Sequence, residues 1–170
     1  MASKIKVDQI QTADGTGTIA LQNQLSGLAS ASMPTVSVLQ VVQGHATGTT
    51  AVSSNTFTAT TLFATITPSS ASSKVLIDIT AFLQLNASAV HGVITVYRDS
   101  TNLGGTYGFG NFYSDTGGFT ETFCGLNYLD SPNTTSAITY KFYIRRDSTG
   151  TVTTGNTNRV HSITLSEIAG

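Results

Sequence analysis

The chain has no tryptophan, one cysteine and three prolines, and only 10% of its 170 residues are charged, where about 25% is usual. Each scarcity removes a class of protein. The lone Cys124 cannot form an intrachain disulfide, so this is not a stapled secreted miniprotein. Cys124 falls in an alternating apolar run and reads as a small core hydrophobe rather than a nucleophile. A net charge of -1 gives no electrostatic footprint for nucleic acid or an anionic membrane. No apolar run approaches the roughly 18 residues of a membrane-spanning helix. Lysines stand near the N-terminus but no apolar signal region follows them, so assembly in a cytoplasm is expected rather than secretion. The Cys and Trp hallmarks of an immunoglobulin-type sandwich are missing.

Serine and threonine are abundant instead, making up more than a quarter of the chain. Threonine is β-branched yet polar and suits the solvated face of a strand. Such a surface stays soluble without charge, and identical copies can pack together without like-charge repulsion. Val75, Ile77, Ile79 and Ala81 alternate with Leu76, Asp78, Thr80 and Phe82, the clearest strand pattern in the chain. Ile138, Tyr140, Phe142 and Ile144 repeat it, as do Cys124, Leu126 and Tyr128. Further strands are predicted at 36–42, 57–66, 93–97 and about 159–168. Turn signals stand at Pro68 to Ser73, at Arg98-Asp99-Ser100 and at Asp130-Ser131-Pro132-Asn133. About eight strands with no helix and no fixed repeat predict an all-β, antiparallel β-sandwich, jelly-roll-like. Leu76, Phe82, Ile94, Val96 and Tyr143 fall out of phase with the strongest core positions. They fill either the opposite packing surface or a subunit interface.

Chemistry is sparse. His45, His91 and His161 lie far apart, without cysteine or acid at metal-ligand spacing. Asp99, Asp115, Asp130 and Asp147 sit near turns, where acids bond their own backbone. Asp78 and Glu121 sit on strands, and no convergent acid pair for a glycan hydrolase emerges. There is no Gly-x-Ser-x-Gly, Walker A or His-Glu-x-x-His motif. The glycine-rich run Gly104 to Asn111 lacks the lysine and following helix of a phosphate loop. The expectation is a non-enzymatic chain with no cofactor and no metal.

Residues 1–33 read as a separate arm and linker before a sandwich domain at 34–170. Ile5, Val7 and Ile10 form one short apolar pattern and Ile19 and Leu21 another, with Asp14-Gly15 between them as a hairpin turn signal. A lone hairpin is marginal in water, so this extended N-terminal β arm needs another surface, on its own chain or a neighbour. Ile5, Val7, Ile10, Ile19, Leu21 and Leu25 are the candidate attachment or intersubunit contacts. In the second half, Tyr107, Phe109, Asn111, Phe112 and Tyr113 interleave rings with glycines and an amide. Rings with polar neighbours suit a carbohydrate or protein contact, although the same rings could fill the sandwich interior.

Ser3-Lys4-Ile5-Lys6-Val7-Asp8-Gln9-Ile10, Asp14-Gly15-Thr16-Gly17-Thr18-Ile19 and Asn23-Gln24-Leu25-Ser26-Gly27-Leu28 resemble the N-terminal segment of small virion structural proteins of tailed bacteriophages. The likeness is greatest to those of marine and cyanobacterial phages. Tyr128 to Thr135 and the closing Ile163-Thr164-Leu165-Ser166-Glu167-Ile168 resemble their β domains. The resemblance implies a homotrimer in the virion, with the arm attached to other virion proteins and the β domain projecting. A tail-fibre or receptor-binding component would meet a host-surface glycan or protein. A capsid decoration protein would clamp the major capsid protein instead, and a glycan-active enzyme is the remote alternative. No nucleic-acid partner and no membrane insertion are expected.

Overall fold

A computed structural model describes residues 36–115, 118–155 and 158–170. The arm and its candidate contacts Ile5, Val7, Ile10, Ile19, Leu21 and Leu25 lie outside the described residues. Among those described, eleven strands run in chain order: β1 (Val38–Ala46), β2 (Thr50–Val52), β3 (Thr58–Ile66), β4 (Lys74–Leu85), β5 (Val90–Arg98), β6 (Thr101–Asn102), β7 (Gly110–Ser114), β8 (Thr120–Asp130), β9 (Ile138–Arg146), β10 (Val152–Thr154) and β11 (His161–Ile168).

All pairings are antiparallel, and they build two sheets. In the first, β11 pairs Lys74 to Thr80 of β4 while β10 pairs Leu83 to Leu85. Hence β10 and β11 share one lane beside β4. β1 and β2 share the next lane out, and β8 runs along the other side of β4. In the second sheet, β3, β9 and β5 lie side by side, and β7 and β6 share the lane beyond β5. Counting lanes in chain order gives eight, arranged 1-8-3-6 in one sheet and 2-7-4-5 in the other. This is the wrapping of a jelly roll.

The two inner faces form the core. Val75, Ile77, Ile79, Leu83, Ile163 and Leu165 of the first sheet meet Leu62, Ile66, Tyr140, Phe142 and Ile144 of the second, all buried. The predicted alternation holds in the burial of β9 and of β4 from Val75 to Ala81, and breaks at Phe82, which is buried. Cys124 belongs to this core, and burial pushes its thiol up to about 12. Gly44 lets β1 cross β3 closely, because a Cβ there would strike the carbonyl of Phe63.

Among the buried polar residues, Asp130, Glu167 and His161 tie separate elements together. Asp130 accepts two bonds from Arg98 Nη1, at 3.0 and 2.9 Å, and one from the buried Tyr140 hydroxyl at 2.7 Å. Glu167 accepts from Ser69 N, Ser69 Oγ and Gln40 Nε2 at 2.8, 2.6 and 2.6 Å. His161 fills a gap in the ladder. β11 leaves β4 after Thr80 and β10 joins it at Leu83, so Phe82 lacks a strand partner there. His161 Nδ1 accepts from Phe82 N at 3.0 Å, and Thr154 Oγ1 donates to the Phe82 carbonyl at 2.8 Å. Side chains thus complete the accounting that a buried backbone demands.

Several boundaries differ from the sequence reading. β1 starts later and continues to Ala46, because Gln43, Gly44 and His45 pair with β11 even though their pattern is polar. β5 extends from Val90 to Arg98, and β11 begins at His161. Of the out-of-phase set, Phe82, Ile94 and Val96 are buried, so packing explains them. Leu76 stays exposed and Tyr143 is half-buried.

Candidate functional site

The outer faces of the two sheets differ in chemistry. On the first, register places Val41, Ser166, Leu76 and Leu129 in one row across β1, β11, β4 and β8. The next row is Gln43, Thr164, Asp78 and Asn127, where the Asn127 amide donates to Asp78. At the far end of the face Arg159 lies over the rings of Phe82 and Phe123 and pairs with Glu121 at 3.4 Å. Between these ends the side chains are mostly small and uncharged.

The second sheet presents rings and cations. Phe63, Lys141 and Tyr97 form one row across β3, β9 and β5, and Ala59, Tyr143 and Thr95 form the next. Tyr97 and Tyr143 stack with centroids 4.0 Å apart, and Phe57 meets the Tyr97 ring edge-on at 6.4 Å. The Lys141 ammonium lies 5.1 Å from the centroid of Phe63. Arg145 lies 5.0 Å from that of Phe57. Both distances are within cation–π range.

The loop at 103–109 folds back over this face. Its ends are held by Leu103 N to the Val96 carbonyl and by Phe109 N to the Ile94 carbonyl. Asn102 fixes the near side: its Oδ1 accepts from Thr95 Oγ1 and Gly104 N, and its Nδ2 donates to the Gly105 carbonyl. Gly108, at φ 67°, turns the chain down so closely that a Cβ would strike the Ile94 carbonyl. The covered Val93 and Thr95 are therefore buried on the outer side of β5. This explains why β5 reads as a nearly continuous apolar run.

Between this loop and the β2–β3 connection lies an open groove of about 490 Å³, lined by Asn55, Thr56, Phe57, Tyr97, Asn102, Gly105, Thr106 and Arg145. Arg145 joins its two banks. Nη1 donates to the Asn55 carbonyl at 3.3 Å and to Asp147 at 2.7 Å, while Nη2 donates to the Thr106 carbonyl at 3.3 Å. A planar guanidinium with a fixed fork of donors can hold several acceptors in one geometry.

The five aromatic-segment candidates separate. Phe109 packs on Tyr128 at 5.0 Å, and both Phe109 and Phe112 lie against the core. Strand alternation in β7 turns Phe112 inward, while Phe109, just before the strand, reaches the core edge through its contact with Tyr128. Tyr107, at the loop tip, is 84% exposed, and Tyr113 and Asn111 face outward. His91 joins them across β5: its ring lies 4.5 Å from Tyr113, and its Nδ1 is 3.3 Å from Asn111 Oδ1. The sequence reading missed His91, Phe57, Tyr97 and Arg145 as members of this face. The strand alternation could have placed Tyr97 and Tyr143 together, but nothing local marks Phe57.

Among the described residues no group of three or more His, Cys, Asp or Glu could hold a metal ion. Among the same residues no helix is long and apolar enough to cross a membrane. No protein-family model matches the chain, and no curated protein matches it. Several solved structures show partial similarity, two of them from one virus. One is a chain from the structure of infectious bursal disease virus Gx strain, at 12% identity and TM-score 0.44, over 77% of this chain and 37% of the other. The second is from the infectious bursal disease virus VP2 subviral particle, at 13% identity and TM-score 0.39, over 79% of this chain and 39% of the other. This chain spans less than two-fifths of the length of either. The jelly-roll assignment rests on strand order and register.

Proposed function

We propose that the chain is a non-enzymatic structural protein of a tailed-bacteriophage virion, of the tail-fibre or receptor-binding type. On this reading it is a homotrimer whose residues 1–33 attach to other virion proteins and whose sandwich at 34–170 projects toward the host. The observation that carries the receptor-contact part is the outer face of the second sheet. There Phe57, Phe63, Tyr97, Tyr107, Tyr113 and Tyr143 are exposed or half-buried on one side of the domain. Amphipathic rings on a rigid sheet, with a preformed groove beside them, suit recognition of a partner. The N-terminal resemblance supports the virion setting.

A capsid decoration role is the second reading, favoured by the other face. Its sparsely charged Ser/Thr/Asn surface and the row of Val41, Leu76 and Leu129 suit close packing on a repeated shell. Copy number separates the two. Quantifying this protein in purified particles is expected to give a few dozen copies at most. Hundreds would transfer the assignment to decoration, and absence from particles would refute both.

A further inference from the structure

Beyond the aromatic face as a whole, the groove between residues 55–57 and 105–106 has the make-up of a saccharide subsite. We infer that it takes one pyranose ring of a neutral glycan. This rests on the receptor-contact reading and assigns the ligand class to a different part of the same face from Tyr107, Asn111 and Tyr113.

Size comes first. A volume of about 490 Å³ falls within the roughly 300–1,000 Å³ of small-molecule sites, ample for a hexose ring and the start of its neighbour. The lining is of two kinds. Phe57 and Tyr97, at an interplanar angle of 67°, offer a ring face and a ring edge to the C–H side of a sugar. Asn55, Thr56 and Thr106 are exposed at the rim and carry the amide and hydroxyl groups that pair with sugar hydroxyls.

Charge decides between neutral and acidic sugars. Arg145 is the one charged group in the lining, and its side chain is only 12% exposed. Its charge is matched by Asp147, and its remaining described bonds go to the two banks. Lys141, in the same row as Tyr97, is directed over Phe63. The groove therefore presents no uncompensated cation to a carboxylate. Arg145 acts as a positioning residue that fixes the spacing of the banks before the ligand arrives, which lowers the ordering cost of binding.

The test uses the full chain and saturation-transfer NMR with a panel of glucose, galactose and mannose disaccharides, beside a glucuronate-containing disaccharide. We expect transfer to the ring protons of at least one neutral sugar, unchanged by added salt. Phe57→Ala and Tyr97→Ala should weaken it about tenfold, the size of one lost aromatic contact. Asn55→Ala, at an exposed position, serves as the variant that keeps the fold if the ring substitutions do not. No transfer to any neutral sugar, or transfer indifferent to Asn55→Ala and to whichever ring variants fold, overturns the inference. Stronger, salt-sensitive binding of the glucuronate sugar overturns its charge assignment. Binding of the chain to host cells is measured alongside. If cells are bound but sugars are not, the subsite fails and the receptor reading stands. If cells are not bound at all, the receptor reading itself fails.

Discussion

Replacing Glu167 should destabilise the domain at neutral pH and flatten its response to acid. The carboxylate is fully buried and faces the core end of β11, where it ties Ser69 of the β3–β4 connection to Gln40 of β1. Burial alone would raise its pKa. The donors from Ser69 and Gln40 outweigh that, and the carboxyl lies below its ordinary 4.5. Hydrogen bonds to a charged group contribute about 1.5–3 kcal/mol each, and three are lost in Glu167→Ala. Ser69 is exposed and Gln40 half-buried, so water recovers much of the loss, leaving a net cost of about 3 kcal/mol. For a chain of this size that is a fall of about 6–12 °C in Tm. Glu167→Gln keeps one acceptor oxygen and should cost about 1–2 kcal/mol. The sign of the acid response follows from linkage. Because the folded pKa is depressed, the unfolded chain takes up the proton first. The stabilisation is present above 4.5 and is lost as pH falls through the folded value. Circular-dichroism melts from pH 7 to 3 read both effects. A Glu167→Ala melting point within about 2 °C of the parent would refute the reasoning. So would a Glu167→Gln variant that keeps the parent's full acid decline.

Three further outcomes are expected. Burial, and then Arg159, hold the His161 pKa below 6.5. Accepting from Phe82 N keeps Nδ1 unprotonated, so this contribution is present above pH 6.5 and declines below it; His161→Gln should remove that component from the pH–Tm curve. Asp130→Ala should cost about 3 kcal/mol by leaving the Tyr140 hydroxyl buried without its acceptor, whereas Tyr140→Phe should cost only about 1–2 kcal/mol; urea unfolding that ranks them the other way would contradict this. Deleting residues 1–33 should leave a folded domain by near-ultraviolet circular dichroism that no longer enters particles, and unfolding of the whole chain would show that the arm belongs to the core.

The parts of the fold legible in the sequence are those where one face is buried and the other wet. β4 and β9 announce themselves because Val75 to Ala81 and Ile138 to Ile144 alternate strictly. The turn at Asp130 to Asn133 is equally plain, and Asn133 does adopt positive φ. The short strands were illegible. β2, β6 and β10 have two or three residues each, too few to show a period, and they exist only because a neighbouring lane has open backbone groups to pair. Their pairing, not their composition, extends lanes that they share with the longer β1, β7 and β11. The groove was hidden for a different reason. Asn55, Tyr97, Thr106 and Arg145 come from four separate stretches, and the crossover of lanes brings them together. The aromatic segment was half legible: its outward Tyr107 and Tyr113 fit a contact role, but period 2 sends Phe112 inward, and Phe109 follows it to the core edge.

The receptor-contact claim is tested most directly by competition. Soluble full-length chain, added in excess to host cells before the phage whose particles contain it, should block adsorption. The double variant Tyr107→Ser and Tyr113→Ser, both at exposed positions, should fold normally and block poorly. Adsorption at the uninhibited rate, with the protein verified in those particles, would contradict the account.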